Sequence, residues 1–216
     1  MRIAVLGTGT VGQTLGTRLV ETGHEVRMGS RSAGNEKAVA WAAAAGDAAS
    51  EGSFRDAAAW AEVVVNATGG LVSLEALTAA GTDHLAGKVL VDVANPLDFS
   101  HGFPPSVAQV DGRSLGEAVQ AAFPDARVVK ALNTMNADVM VHPRSLSGPH
   151  SVFLAGDDDG AKATVGSLLQ GFGWTPDEIV DTGGIAAARG LELYLPLWLS
   201  LMGSLGTASF NIGVVR

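Results

Sequence analysis

The chain has no cysteine among its 216 residues. That absence excludes a disulfide-stapled scaffold, a thiolate nucleophile, Cys-ligated zinc and iron–sulfur clusters. It leaves the redox compartment open. Tyrosine is nearly as scarce: Tyr194 stands alone, and four residues after it comes Trp198. The Tyr-x-x-x-Lys proton donor of short-chain reductases is therefore missing. Positive charge is in deficit, with 14 Lys+Arg against 22 Asp+Glu and a formal net charge of −8, which argues against broad electrostatic capture of nucleic acid. The five histidines are scattered, with no His-x-x-x-His pair, and no metal site is expected. Long hydrophobic runs are also absent. The N-terminal apolar stretch stops at Gly7, short of the roughly 7–15 apolar residues of a signal peptide. The most apolar segment, 191–205, is interrupted by Glu192, Pro196 and Ser200 and is shorter than the roughly 20 residues of a membrane span. A cytoplasmic protein without a membrane partner is the expectation.

What is present is a periodic alternation. Short β-type apolar runs fall at 2–6, 25–28, 62–66, 88–93, 127–132, 151–155 and 178–180. Helical spacing occupies 11–22, 36–45, a stretch ending near 61, then 71–80, 115–123, 161–172 and a long apolar segment from about Ile185. Strands alternating with helices imply βαβ units and a mostly parallel sheet. The run Val63-Val64-Val65 fits a strand buried on both faces. The predicted fold is α/β, a Rossmann-type doubly wound sheet in one domain over 1–216. A dinucleotide-binding core would fill about 1–134, with a smaller helical and strand extension over about 135–216. The segment 98–113, with Pro104-Pro105, reads as a surface loop.

Gly7-Thr8-Gly9-Thr10-Val11-Gly12 is a Gly-x-Gly-x-x-Gly motif. It follows a strand and opens a helix inside one strand–helix–strand unit, the context that gives the motif its meaning. Gly7 would make the tight turn, Gly9 would admit a pyrophosphate to the backbone N–H groups, and Gly12 would let helix and strand approach. At the end of the second strand an NAD site carries Asp or Glu for the ribose hydroxyls. Here the sequence is Met28-Gly29-Ser30-Arg31-Ser32, with no carboxylate. Arg31 can stack on adenine and pair with a 2′-phosphate, and Ser30 can add a hydrogen bond. Lys37 and Asn35 could complete that pocket. NADP(H) is the expected cofactor, ahead of NAD and FAD.

No acid–base pair stands out beside this site. Lys130 and Asn133 have the spacing of a helical Lys–Asn catalytic pair, but they fall at a strand end. No Gly-x-Ser-x-Gly elbow is present. A nicotinamide site without a proton relay suits direct hydride passage between two redox rings, so no catalytic side chain is predicted.

Five segments carry a family resemblance: Ile3 to Gly9, Gly29-Ser30-Arg31, Val128 to Thr134, Ala155-Gly156-Asp157-Asp158-Asp159, and Arg189-Gly190-Leu191-Glu192 running into Leu195-Pro196-Leu197. Together the chain resembles the NADPH-dependent reductases of coenzyme F-420 (also written F420), an 8-hydroxy-5-deazaflavin. The resemblance implies hydride exchange between NADP(H) and F-420, and a homodimer. It also implies site residues. Thr8, Thr10 and Val11 would join the glycines at the pyrophosphate, and Ala67-Thr68-Gly69 would line the path to the nicotinamide. Asn95, Pro96, Asn133, Met135, Asn136 and Ala137 would border that ring. Asn133 replaces a histidine of archaeal members, and Met135-Asn136 an isoleucine-proline pair. The apolar C-terminal helix would wall the deazaflavin pocket and form the dimer surface, with Arg189 and Glu192 as a surface pair. The alternatives are an NADPH-dependent reductase of a flavin, quinone or ferric chelate, and a non-enzymatic NADPH sensor.

Overall fold

A computed structural model describes residues 1–215. The chain opens with β1 (Arg2–Leu6), α1 (Thr10–Glu21), β2 (Glu25–Ser30), α2 (Glu36–Ala45), β3 (Ala49–Ser53), α3 (Phe54–Trp60) and β4 (Val63–Asn66). It continues through α4 (Ser73–Ala80), α5 (Thr82–Leu85), β5 (Val89–Asp92), a small hairpin of β6 (Leu97–Asp98) and β7 (Ser106–Val107), α6 (Leu115–Ala122) and β8 (Arg127–Ala131). The last part holds α7 (Ala137–Val141), β9 (Val152–Ala155), α8 (Asp159–Phe172), β10 (Ile179–Asp181), α9 (Ala188–Leu193) and α10 (Leu195–Leu205).

Eight strands form one sheet in the order β10-β9-β8-β5-β4-β1-β2-β3. All neighbours are parallel except β8 and β9. This is the doubly wound Rossmann arrangement, and its order reverses between β1 and β4. The extension past residue 134 is thus not a separate layer, because β9 and β10 continue the same sheet.

The strands are apolar on both faces, as a parallel sheet between two helical layers requires. Ile3 and Val5 pack with Leu15 and Leu19 of α1. Ala4 and Leu6 point the other way, toward Ala57 of α3 and Leu77 of α4. Each residue of β4 and β5 is buried.

The C-terminal segment departs from the predicted single helix. A 3-10 turn at Ile185–Ala187 leads into α9, and the helix is redivided at Tyr194, with Pro196 in the first turn of α10. The stretch runs from Ile185 to Leu205, the predicted bounds, and its 21 residues are long and apolar enough by length and composition to cross a membrane, which corrects the expectation drawn from 191–205 alone. Its first part is built into the domain through buried Ile185, Ala188, Leu191 and Glu192.

Candidate functional site

The carboxyl ends of β1, β2 and β4 open onto a cleft of about 560 Å³ lined by Gly7, Thr8, Gly9, Ser30, Arg31, Asn35, Ala67, Thr68 and Gly69, with Phe54 and Glu75 opposite. It lies at the topological switch point, where sheets of this type bind ligands. The glycine turn is built by sterics. Gly7 has φ +123°, and a Cβ there would overlap the carbonyl oxygen of Ala67, while one on Gly12 would overlap that of Gly7. Gly9 differs: a Cβ would meet nothing within 4 Å. Gly9 is the N-cap of α1 and offers no side-chain hydrogen bond, and the first turn holds no acidic residue. The leading N–H groups and positive end of α1 are therefore available to an anion. This open approach fits a pyrophosphate.

At the end of β2, Ser30 is buried and its hydroxyl donates to the Ser32 carbonyl at 2.6 Å. Arg31 is exposed and lines the cleft, with no carboxylate paired to it among the described residues. Asn35 lines the cleft too, but its Oδ1 caps α2, accepting from the N–H of Lys37 at 3.1 Å and of Ala38 at 3.2 Å. Lys37 is not brought here. It lines a different surface groove with Gln13, Arg18 and Trp41, because the cap turns α2 so that this position faces α1. Thr10 begins α1 and lies outside the cleft lining, and Gly12 is buried beneath the turn.

A second cavity of about 210 Å³ adjoins the first and shares Ala67, Thr68 and Gly69 with it. Its other walls come from Val11, from Asn95 after β5, from Asn133 and Met135 after β8, and from Leu195 and Trp198 of α10. Pro96, Asn136 and Ala137 flank this cavity without lining it. The Pro96 carbonyl accepts from Ala108 N–H at 2.8 Å, and Asn136 Oδ1 caps α7 from Asp138 N–H at 2.8 Å.

Asn133 is 2% exposed and follows Leu132, a buried leucine at φ +64°. A non-glycine residue there costs about 1–3 kcal/mol, a strain that clusters at functional sites. The Asn133 Nδ2 donates to Asn95 Oδ1 at 3.0 Å and to the Leu191 carbonyl at 3.1 Å, and Asn95 Nδ2 donates to the Asn133 carbonyl at 2.7 Å. Among the described residues Asn133 Oδ1 itself has no partner, and neither have Trp198 Nε1 and the Tyr194 hydroxyl. Unpaired buried polar atoms are costly. The indole of Trp198 stacks on Phe210, with centroids 5.4 Å apart. Burial pushes the Tyr194 phenol above its ordinary value.

The sequence reading missed a buried ion triad behind this cavity. Lys130 Nζ lies 2.9 Å from Asp92 Oδ2 and 2.8 Å from Glu192 Oε1, with the lysine and both carboxylates sealed from solvent. The expected Arg189–Glu192 surface pair does not form. Glu192 is 1% exposed and accepts the Leu115 and Gly116 N–H groups at 2.8 and 3.0 Å, whereas Arg189 pairs with Glu117 at 3.3 Å. The three-residue spacing permits a helix-surface pair, but α9 is inserted into the domain and turns Glu192 inward. No local pattern marks the triad, since Lys130 and Asp92 are 38 residues apart in sequence.

Comparison with known proteins places this geometry. The sequence profile described as NADP oxidoreductase, coenzyme F420-dependent, matches residues 2–96. The F420-dependent NADP reductase of Methanothermobacter marburgensis is 31% identical over 215 residues, covering 93% of this chain and 92% of that protein. The rat metalloreductase STEAP3 is also 31% identical, over 202 residues and 91% of this chain, which spans only 38% of that longer protein. A crystal structure from Arthrobacter sp. FB24, provisionally named an F420-dependent NADP reductase, is 50% identical, covers both chains completely and superposes with a TM-score of 0.93. The glycine turn and the carboxylate-free end of β2 thus sit in a chain that belongs to the family of coenzyme F420-dependent NADP oxidoreductases.

Proposed function

We propose that this protein transfers hydride between NADPH and the deazaflavin coenzyme F-420. The observation that carries the reading is the junction of two cavities across Ala67, Thr68 and Gly69. One is open to a dinucleotide at the start of α1, and the other is walled by Asn133, Met135, Leu195 and Trp198. When bound, NADPH supplies the hydride and the deazaflavin ring accepts it, the accompanying proton coming from solvent. The protein binds, orients and excludes water. The N–H groups at the start of α1 would hold the pyrophosphate, and Arg31 would hold the 2′-phosphate, with Ser30 adding a hydrogen bond once its hydroxyl turns from the Ser32 carbonyl to the phosphate. Asn133 Oδ1, lacking a partner, is free to accept a hydrogen bond from a carboxamide. Met135, Leu195 and Trp198 present an apolar wall to a flat ring and keep water from the reacting carbons.

Similarity to a metalloreductase favours a second reading, in which a free flavin or a ferric chelate takes the electrons. The deciding experiment is NADPH oxidation by the purified protein, with F-420, FMN and ferric citrate offered separately. Rapid turnover of F-420 supports the proposal. Turnover of only the flavin or the chelate replaces it with the second reading.

A further inference from the structure

The Lys130 triad extends well past two carboxylates. Lys130 Nζ also donates to the Ala94 carbonyl at 2.5 Å. Asp92 Oδ1 accepts from Asn66 Nδ2 at 2.9 Å and from Ala94 N–H at 3.3 Å. Asn66 Oδ1 in turn accepts the Thr68 hydroxyl at 2.7 Å, and Asn66 Nδ2 also donates to Ser73 Oγ at 3.0 Å. At the other end, Glu192 holds the two leading N–H groups of α6.

Val11 of α1, Leu97 of β6 and Met140 of α7 contribute to the smaller cavity, and its remaining walls come from four segments: the turn after β4, the turn after β5, the strained turn after β8, and α10. The network has a member in or directly beside each. Asn66 and Thr68 hold the first, Asp92 and Ala94 the second, and Lys130 sits two residues ahead of Leu132 in the third. Glu192 is three residues ahead of Leu195 in the fourth, just before the break at Tyr194. All three donor hydrogens of Lys130 have acceptors, and each oxygen of Asp92 and Glu192 has a donor. A sealed, fully satisfied ionic hub of this kind fixes geometry rather than adding net stability over an apolar core.

We infer that Lys130 is a positioning residue that, through Asp92 and Glu192, sets the spacing between the turn at Thr68 and the α10 wall, and so the fit of the hydride acceptor. It touches neither cavity, so it acts through others. The inference rests on the functional reading above for the identity of the acceptor, but not for the mechanical coupling.

The test uses Lys130→Met and the milder Glu192→Gln, which keeps the Lys130–Asp92 pair and carries the test if the first variant does not fold. Three quantities are measured: the NADPH Kd by titration, the KM for F-420, and amide hydrogen exchange. In Glu192→Gln the NADPH Kd should stay within about twofold. The KM for F-420 should rise at least about tenfold, within what a misplacement of about an ångström can exact. Exchange should quicken both in α9–α10 and in the turn 67–70 across the cavity. An unchanged acceptor KM in the folded variant, or an equal loss for NADPH, overturns the inference. If the wild-type protein ignores F-420, the functional reading falls by itself, and the exchange pattern decides the role of Lys130. Quickening on both sides of the cavity supports it, and quickening confined to α9 refutes it.

Discussion

The three motif glycines ought to fail in two distinct ways when substituted, Gly7 and Gly12 by steric overlap and Gly9 by blocking the cofactor. Gly7→Ala places a Cβ against the Ala67 carbonyl at a backbone φ of +123°. The backbone strain costs about 1–3 kcal/mol, and the overlap with fixed backbone about as much again. For a domain of this size each kcal/mol lowers Tm by roughly 2–4 °C, so Gly7→Ala should melt on the order of 10 °C lower. Gly12→Ala drives a Cβ into the Gly7 carbonyl and should behave similarly. At Gly9 an added Cβ would meet no protein atom within 4 Å, so Gly9→Val begins in open space. It exchanges a tolerable N-cap for a poor one, worth about 1 kcal/mol, a few degrees at most. Its consequence appears only with cofactor. NADPH at a hundredfold excess over Kd should stabilise the wild type by about 2.7 kcal/mol, and Gly9→Val should abolish that shift. Thermal melts of the three variants with and without NADPH check this. A Gly9→Val protein still stabilised by NADPH refutes the pyrophosphate assignment. A Gly7→Ala protein that melts with the wild type refutes the steric account of the turn.

Arg31→Ala should weaken NADPH binding by about 1–3 kcal/mol and leave NADH nearly untouched; equal losses in parallel titrations would show that Arg31 does not read the 2′-phosphate. The hydroxyl and N–H of Ser114, with Arg189 beside them, hold the Glu117 carboxyl below its ordinary value. Its contribution is therefore present above the ordinary carboxylate range and lost as pH falls through the depressed value, so the Tm gap between wild type and Glu117→Gln should be full at neutral pH and shrink progressively as the pH drops below the ordinary carboxylate range. Leu193, Leu197 and Leu205 are each more than half exposed, an apolar face of the sort that marks an interface. A homodimer closing on α10 is expected, dissociated by Leu197→Glu, and light scattering showing a wild-type monomer at micromolar concentration would count against it.

What the sequence disclosed was local and periodic. The Gly-x-Gly-x-x-Gly turn is readable because its whole mechanism lies within six residues and two flanking elements. The inner strands are readable because burial on both faces leaves continuous valine-rich runs. β3 escaped because Ala49-Ser50-Glu51-Gly52-Ser53 is a partly exposed edge strand of small and polar residues, with no apolar period to read. α7 escaped because five residues barely exceed one turn. Chain proximity to Arg31 nominates position 37, but it does not tell which way α2 faces after its Asn35 cap, and Lys37 lines the neighbouring groove with Gln13 and Trp41. The second cavity was only partly legible. The resemblance nominates Asn133 and the apolar helix together, but the contact that joins them, Asn133 donating to the Leu191 carbonyl across the fold, has no sequence signature. Glu192 carried the opposite lesson. A charged residue three positions from an arginine on a helix suggests a solvated pair, and only the docking of α9 onto α6 turns it inward.

The chemistry of the smaller cavity narrows the acceptor. Among the described residues its lining contains no carboxylate, imidazole, ammonium, guanidinium or phenol. The nearest charges, in the Lys130 triad, are sealed from solvent and hold all their hydrogen-bond partners. Tyr194 lies close by in sequence, but its phenol is not part of this lining. Reduction of a carbonyl or an imine calls for a proton donor within hydrogen-bond reach of the developing charge, and this wall offers none. A conjugated ring that spreads the incoming charge and exchanges its proton with water has no such need. Single-turnover hydride transfer from NADPH should therefore be flat between about pH 6 and 8, apart from any titration of the acceptor itself. The measurement is a stopped-flow pH series in light and heavy water. A bell-shaped profile with a solvent isotope effect, both removed by one side-chain substitution, would show that a protein group moves a proton after all and would reopen acceptors that need one.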